Sequence, residues 1–132
     1  MDKAPESAEN YLETILMLSD GGKPVRSVDI ANELGYSKPS ISAAMKNLKA
    51  GGYISMENYG DITLTESGRV IAQRIYDRHN LIADLLIFLG VDRETALRDA
   101  CKMEHGMSEK SFMALQEHIA VLKRQSSQQD GI

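Results

Sequence analysis

The apolar positions along the chain predict helices over most of its length. The first pattern has helical spacing and consists of Tyr11, Leu12, Ile15, Leu16 and Leu18. The stretch DGGKP ends this helix, because glycine and proline both disfavour helical backbone. We expect a long helix from Thr65 to Gly90 and two more over 92–106 and 109–125, the last capped by Ser108. The chain is therefore expected to be mainly α.

Two short helical segments with a glycine-containing turn between them follow the first helix. Ser27 is expected to cap the shorter segment and Gly35 to close it. Ser37 is expected to cap the second segment, which has Pro39 in its first turn, where a missing N–H costs little. Two short helices joined in this way are typical of a helix-turn-helix.

The residues after the helix-turn-helix predict a β-hairpin. Two β-favouring runs in YISMENYGDITLT flank a turn at residues 58–60, and a hairpin in this position is a wing. The predicted fold is mainly α, with an N-terminal winged helix-turn-helix followed by a helical dimerisation domain. We expect the DNA-binding domain to span residues 1–68, the helical domain 69–126, and a tail to follow over 127–132.

The second short helix has one apolar face and one small, basic face. Ile41, Met45 and Leu48 form the apolar stripe. The opposite face suits the major groove of double-stranded DNA, where small side chains contact base edges and lysines contact phosphates. We expect base contacts from Ser37, Pro39, Ser40 and Ala43. We expect phosphate contacts from Lys38, Lys46, Lys49 and, in the wing, Tyr59.

Composition agrees with a compact protein that touches an anionic partner with one surface. The chain has 132 residues, is 42% hydrophobic and carries a formal net charge of −4. Between Gly35 and Met56, however, it has lysines and no acidic residue. No apolar run approaches the roughly 20 residues that span a bilayer. The N-terminus does not resemble a signal peptide, and the single cysteine fits a reducing compartment, so we expect a cytoplasmic protein without a membrane partner.

The second half of the chain contains a cluster of residue types that commonly bind metals. The stretch CKMEHGMSEK begins with Cys101, and Glu104 and His105 follow it by three and four residues. This spacing places the three side chains on one face of a helix. A lone cysteine on such a helix is usually a small core residue. Together with further side chains the three could converge on one ion, although spacing alone does not show it. The candidate ligands are Asn10, Glu13, His79, Cys101, Glu104 and His105.

Motifs spread over almost the whole chain resemble one family. AENYLETILML, the winged helix, LTESGRVIAQRIYDRHNLIADLL and CKMEHGMSEK resemble the diphtheria toxin repressor family of metal-dependent transcriptional regulators, whose smaller members include the manganese transport regulators. The resemblance implies a repressor that binds palindromic operator DNA as a homodimer when loaded with Mn(II) or Fe(II), and that controls metal-uptake genes.

The resemblance also implies roles for the candidate ligands. Asn10 stands where manganese-type members have an aspartate and iron-type members a methionine, and Cys101 matches the iron type. Glu13 and His79 match the manganese type, while Glu104 and His105 match both types. The ligand set is thus a hybrid, in which a thiolate shifts preference toward softer metals than manganese. A second site of the iron type is incomplete, since Ala83 and Leu97 replace an acid and a histidine there.

Two other readings use the same residues. A winged-helix regulator could respond to a small organic ligand, or to oxidation of Cys101, instead of a metal. A hydrolase could use Cys101 as nucleophile and His105 as base, but no oxyanion loop or substrate-pocket signature accompanies the pair. We therefore expect a regulator that is not an enzyme and has no organic substrate.

Overall fold

The computed structural model describes residues 6–57 and 60–130 and is mainly helical. Its elements, in chain order, are α1 (Glu6–Leu18), a 3-10 turn (Asp20–Gly22), α2 (Ser27–Leu34), α3 (Lys38–Ala50), β1 (Ile54–Met56), β2 (Ile62–Leu64), α4 (Glu66–Phe88), α5 (Arg93–Gly106) and α6 (Glu109–Asp130). The chain forms two compact units, Met1–Tyr76 and Asp77–Ile132, whose boundary lies within α4.

The first unit has a single apolar core. Apolar faces of α1, α2 and α3, both strands and the first half of α4 contribute to it, because each element buries its periodic apolar positions. The predicted stripe of α3 is part of this core. The buried members are Leu12, Ile15, Val25, Ile30, Ala31, Ile41, Met45, Leu48, Ile54, Ile62 and Ala72.

Three of the four signals predicted for the helix-turn-helix segments are confirmed. Gly35 closes α2 in the left-handed conformation, with φ 71°, which glycine adopts without steric cost. Ser37 caps α3 by accepting a hydrogen bond from the Ser40 backbone N–H, and Pro39 lies in the first turn. Each of these features depends on residues that are adjacent in the sequence, through their own backbone and side-chain chemistry.

The expected cap of α2 at Ser27 is wrong, because the N-cap residue is Arg26. Val25 forms a β-bridge with Ile62, which keeps the chain extended up to Arg26. The carboxylate of Asp29 then accepts the Arg26 backbone N–H at 2.9 Å. Helix α2 therefore begins one residue earlier than the serine signal indicates.

The predicted wing is confirmed as an antiparallel hairpin. Strand β1 pairs with β2 so that Ser55 faces Thr63 and Met56 faces Ile62. The hydroxyl groups of Ser55 and Thr63 are hydrogen-bonded at 2.6 Å. The predicted phosphate contact Tyr59 lies outside the described residues.

The second unit has a smaller apolar core in which α4 packs against α5. Ile82, Ala83 and Ala100 are buried, and Leu86, Leu97 and Met107 pack against them. Asp92 caps α5, and Ser108, as predicted, accepts the Ser111 backbone N–H in the first turn of α6. Helix α6 continues to Asp130, so the helix includes residues 127–130, which we had expected in a tail.

Within the described ranges, no helix combines the length and apolar character needed to cross a membrane.

The start of α4 depends on a close approach to the loop before β1. A Cβ atom added at Gly68 would lie 2.0 Å from the backbone oxygen of Tyr53, and Thr65 donates to that same oxygen. We expect Gly68→Ala to lower the free energy of unfolding by at least about 2 kcal/mol, because backbone must move to admit the methyl group. Urea denaturation followed by circular dichroism measures this change.

The matched control is Gly106→Ala at the end of α5, where an added Cβ meets nothing within 4 Å. There we expect a change of less than about 1 kcal/mol. Equal effects of the two substitutions would contradict the proposed contact between α4 and Tyr53.

Candidate metal centre and nucleic-acid interface

The predicted DNA-contacting residues of the helix-turn-helix form an exposed surface. The buried stripe of α3 fixes which side of the helix faces water, and the small and basic residues lie on that side. Seven of the eight predicted contacts are described and all of these are exposed: Ser37, Lys38, Pro39, Ser40, Ala43, Lys46 and Lys49. Among these seven, the only charged groups are lysines, so the surface is basic.

The first turn of α3 is well ordered by its own hydroxyl groups. Ser37 donates its hydroxyl to the Ser40 hydroxyl oxygen at 2.9 Å, while the Ser40 backbone N–H donates to Ser37. These small groups leave room for close approach of a base edge.

Tyr36, just before this turn, was missed by the sequence reasoning. Its ring is 54% exposed and meets the Tyr11 ring of α1 edge-on, with centroids 6.3 Å apart. A large aromatic residue in the turn of a helix-turn-helix is the signal that could have marked it.

The candidate metal ligands divide between the two units. Asn10 and Glu13 belong to α1 in the first unit, where Asn10 is half-buried and Glu13 is buried. Glu9, one turn before Glu13, is also buried, and its carboxylate lies 3.7 Å from the guanidinium of Arg74 on α4. Helix α1 therefore places two acidic groups inside the protein, of which the sequence reasoning identified only Glu13.

The second unit brings His79, Glu104 and His105 together. Helix α4 carries His79 and the last turn of α5 carries the other two. The Nδ1 atom of His79 lies 3.1 Å from Oε2 of Glu104, and Nε2 of His105 lies 3.3 Å from Oε1. One carboxylate thus lies between two imidazoles, an arrangement that can supply both nitrogen and oxygen ligands to a divalent ion.

The carboxylate of Glu104 is buried beside imidazoles. Glu104 is fully buried, and within the described part of the chain its ion-pair partners are the two imidazoles alone, with neither lysine nor arginine within range. Its Oε1 atom also lacks a partner in hydrogen-bond geometry among those residues. Burying a carboxylate without compensation is costly, so the residues present fit a cation at this position.

Cys101 is exposed on α5, three residues before the buried Glu104. A buried packing role, the usual one for a lone cysteine, is therefore excluded.

Ala83 is buried, and Leu97 packs against the same small core.

Comparison with protein families matches both units. The model for the DNA-binding N-terminal domain of iron-dependent repressors matches residues 4–62. The model for the metal-binding and dimerisation domain of iron-dependent repressors matches residues 65–130.

Individual relatives support the same grouping. An uncharacterised HTH-type transcriptional regulator of Methanocaldococcus jannaschii is 38% identical over 106 residues, which cover 79% of this chain and 85% of the relative. The transcriptional regulator MntR of Escherichia coli O157:H7 is 37% identical over 109 residues, covering 83% of this chain and 70% of MntR.

Solved structures share the fold. A manganese-dependent transcriptional repressor in complex with manganese aligns with a TM-score of 0.77 and 25% identity, over 86% of this chain and 52% of its own length. This chain thus spans about half of that repressor. A hypothetical protein of Sulfolobus solfataricus, 22% identical, aligns with a TM-score of 0.67 over 88% of this chain and 89% of its own.

Helices α2 and α3 and strand β1 lie in the range matched by the DNA-binding model, and His79, Glu104 and His105 lie in the range matched by the metal-binding model. The chain therefore belongs to the iron-dependent repressor family of metal-dependent, DNA-binding transcriptional regulators.

Proposed function

We propose that this protein represses metal-uptake genes by binding palindromic operator DNA as a homodimer when it is loaded with Mn(II) or Fe(II). It acts in the cytoplasm through binding, without a catalytic step or an organic substrate. The observation that carries the proposal is the buried Glu104 carboxylate, held between two imidazoles with one oxygen outside hydrogen-bond geometry. A divalent cation offsets such a charge, and the imidazoles supply nitrogen ligands.

The proposed ligand set combines residues of both units. His79, Glu104 and His105 are supported by their mutual distances, and Glu13 by its burial on α1. Asn10 and Cys101 are proposed on the resemblance to the family. The complete set is Asn10, Glu13, His79, Cys101, Glu104 and His105.

A bound divalent cation would supply a positive charge to these donors. The ligands of α1 precede the helix-turn-helix in the chain, while those of α4 and α5 lie in or near the helical domain. Holding them in one arrangement restricts the conformations that the recognition helices of a dimer can sample before DNA arrives. Because coupling is reciprocal, operator DNA should raise metal affinity by the same factor.

The domain boundaries and the dimer are part of the proposal. We assign the DNA-binding domain to residues 1–68 and the helical domain to 69–126, a division supported by the matched ranges 4–62 and 65–130. Met103 and Met113 are large apolar residues exposed in the second unit, and exposed apolar surface favours association. We propose that helices after Gly90 form a two-fold interface, which suits a palindromic operator.

The central experiment measures DNA binding as a function of metal. Fluorescence anisotropy on a palindromic promoter fragment should show tight binding with Mn(II) or Fe(II) and a loss of at least about tenfold in affinity after chelation, within the usual range of allosteric coupling. A scrambled fragment of equal length controls for nonspecific phosphate contacts. If chelators leave the DNA affinity unchanged while thiol oxidants alter it, the result would support regulation through Cys101 and contradict metal control.

Replacing the buried carboxylate should separate stability from metal binding. Glu104→Gln removes a buried negative charge, so the metal-free protein should gain up to about 1 kcal/mol in free energy of unfolding. Affinity for Mn(II), measured by competition with a fluorescent chelator, should fall at least about 100-fold, because the amide supplies no negative charge.

Glu94→Gln is the matched control on the same helix, since Glu94 is exposed and pairs only at the surface with Arg98. It should leave both quantities unchanged. An unaltered Mn(II) affinity in Glu104→Gln would refute its role as a ligand.

The cysteine is the residue expected to set metal preference. Cys101→Glu should shift activation of DNA binding toward Mn(II) over Fe(II), because a carboxylate is a harder ligand than a thiolate. Anisotropy titrations with each metal measure the order of activation. Cys101→Ser controls for loss of the thiol alone, and an order of metals unchanged in both variants would remove Cys101 from the ligand set.

A further inference from the structure

Arg78 is a buried cation beside the candidate metal ligands, and neither the sequence nor the family resemblance gives it a role. It directly precedes His79 on α4 and is only 3% exposed. Arginine is rarely buried unless its charge and donors are matched. The groups that match it therefore indicate its function.

All of the partners of Arg78 given by the structure lie at the junction of α5 and α6. Its Nη1 atom donates to the backbone carbonyl oxygens of Glu104 at 3.2 Å and Met107 at 2.9 Å. Its Nη2 atom donates to the carboxylate of Glu109 in the first turn of α6. The guanidinium also lies over the ring of Phe112, 5.0 Å from its centroid.

These contacts offset the charge of Arg78 from several directions. The carbonyls of Glu104 and Met107 belong to the end of α5, where the helix dipole is negative. Glu109 adds a full negative charge, and the Phe112 ring adds a cation–π contact. A planar guanidinium has several N–H donors in fixed directions and can make these bonds at the same time. The ammonium of lysine cannot reproduce that arrangement of donors.

Helix α4 contacts Glu104 both at its backbone and at its side chain. Arg78 binds its backbone carbonyl, and the next residue, His79, contacts its carboxylate at 3.1 Å. The backbone position and the side-chain position of Glu104 are thus fixed by consecutive residues of one helix. His105 follows directly, so the same bonds restrain the last turn of α5.

We propose that Arg78 is a positioning residue for the metal centre, which it acts on through the α5–α6 junction with Glu109 as its partner. It fixes Glu104 and His105 in their ligating positions before a cation arrives, so that binding does not have to order them. The inference rests on the proposed metal-dependent function and adds to it a residue that touches no metal.

The test compares metal affinity and coordination in variants of the full-length chain. Arg78→Met should weaken Mn(II) binding about 10- to 100-fold, the usual range for a residue that supports metal ligands. Arg78→Lys should retain part of the Mn(II) affinity, because lysine keeps the positive charge but lacks the planar set of N–H donors. The absorption spectrum of bound Co(II) should change in both variants, since the ligands shift.

Glu109→Gln tests the partner without altering the buried arginine, and it carries the test if Arg78→Met does not fold. Its Mn(II) affinity should also fall, by less than in Arg78→Met. The double variant, Arg78→Met with Glu109→Gln, should bind Mn(II) no more weakly than Arg78→Met alone. The effects of two residues that act through one interaction are not additive.

Arg98→Met provides the control, since Arg98 is an exposed arginine of α5 in a surface ion pair; it should leave Mn(II) affinity and the Co(II) spectrum unchanged. A merely structural Arg78 would lower the melting temperature while leaving metal affinity and the Co(II) spectrum at wild-type values, and that result would overturn the inference. Failure of the wild-type chain itself to bind either Mn(II) or Fe(II) would instead overturn the proposed function.

Discussion

The burial of one carboxylate organises the second unit. Glu104 is removed from water at the end of α5, and its negative charge is met by imidazoles and not by a lysine or arginine side chain among the described residues. A fold keeps such a group only where its cost is offset. With Glu104 as a ligand, as proposed, the stability of the metal-free protein and its affinity for metal would be opposed at this residue.

Two arginines of α4, the half-buried Arg74 and the buried Arg78, lie next to groups of the two units. Arg74 lies near the buried Glu9 of α1 in the first unit, and Arg78 binds the α5–α6 junction in the second. The two arginines are four residues apart and therefore share a side of the helix. A single helix thus supplies a cation to each unit, next to the elements that carry the proposed ligands.

Local signals made much of the fold predictable, and nonlocal contacts account for the errors. Gly35, Ser37 and Pro39 determine helix ends through their own backbone and side-chain chemistry. The predicted cap at Ser27 failed because a bridge between Val25 and Ile62, distant in sequence, sets the preceding backbone. The end of α6 was placed too early because a polar sequence can continue a helix without an apolar stripe.

The site was predictable in its residue types more than in its geometry. Spacing placed Glu104 and His105 on one helix, but their approach to His79 joins residues far apart in sequence, and resemblance alone suggested it. Arg78 was missed although it interrupts the apolar stripe of α4 that includes Ile75 and Ile82. A cation in a buried stripe position is a detectable sign of a buried polar network.

The exposure of Cys101 has a consequence for kinetics. Glu104 is fully buried, whereas Cys101 is an exposed residue. A thiolate ligand at the surface would give small chelators a direct route of attack, so that metal leaves by stepwise ligand exchange without unfolding of the buried part. The enclosed carboxylate would then govern how tightly metal is held, and the exposed thiolate how quickly the repressor follows a change in the surrounding metal concentration.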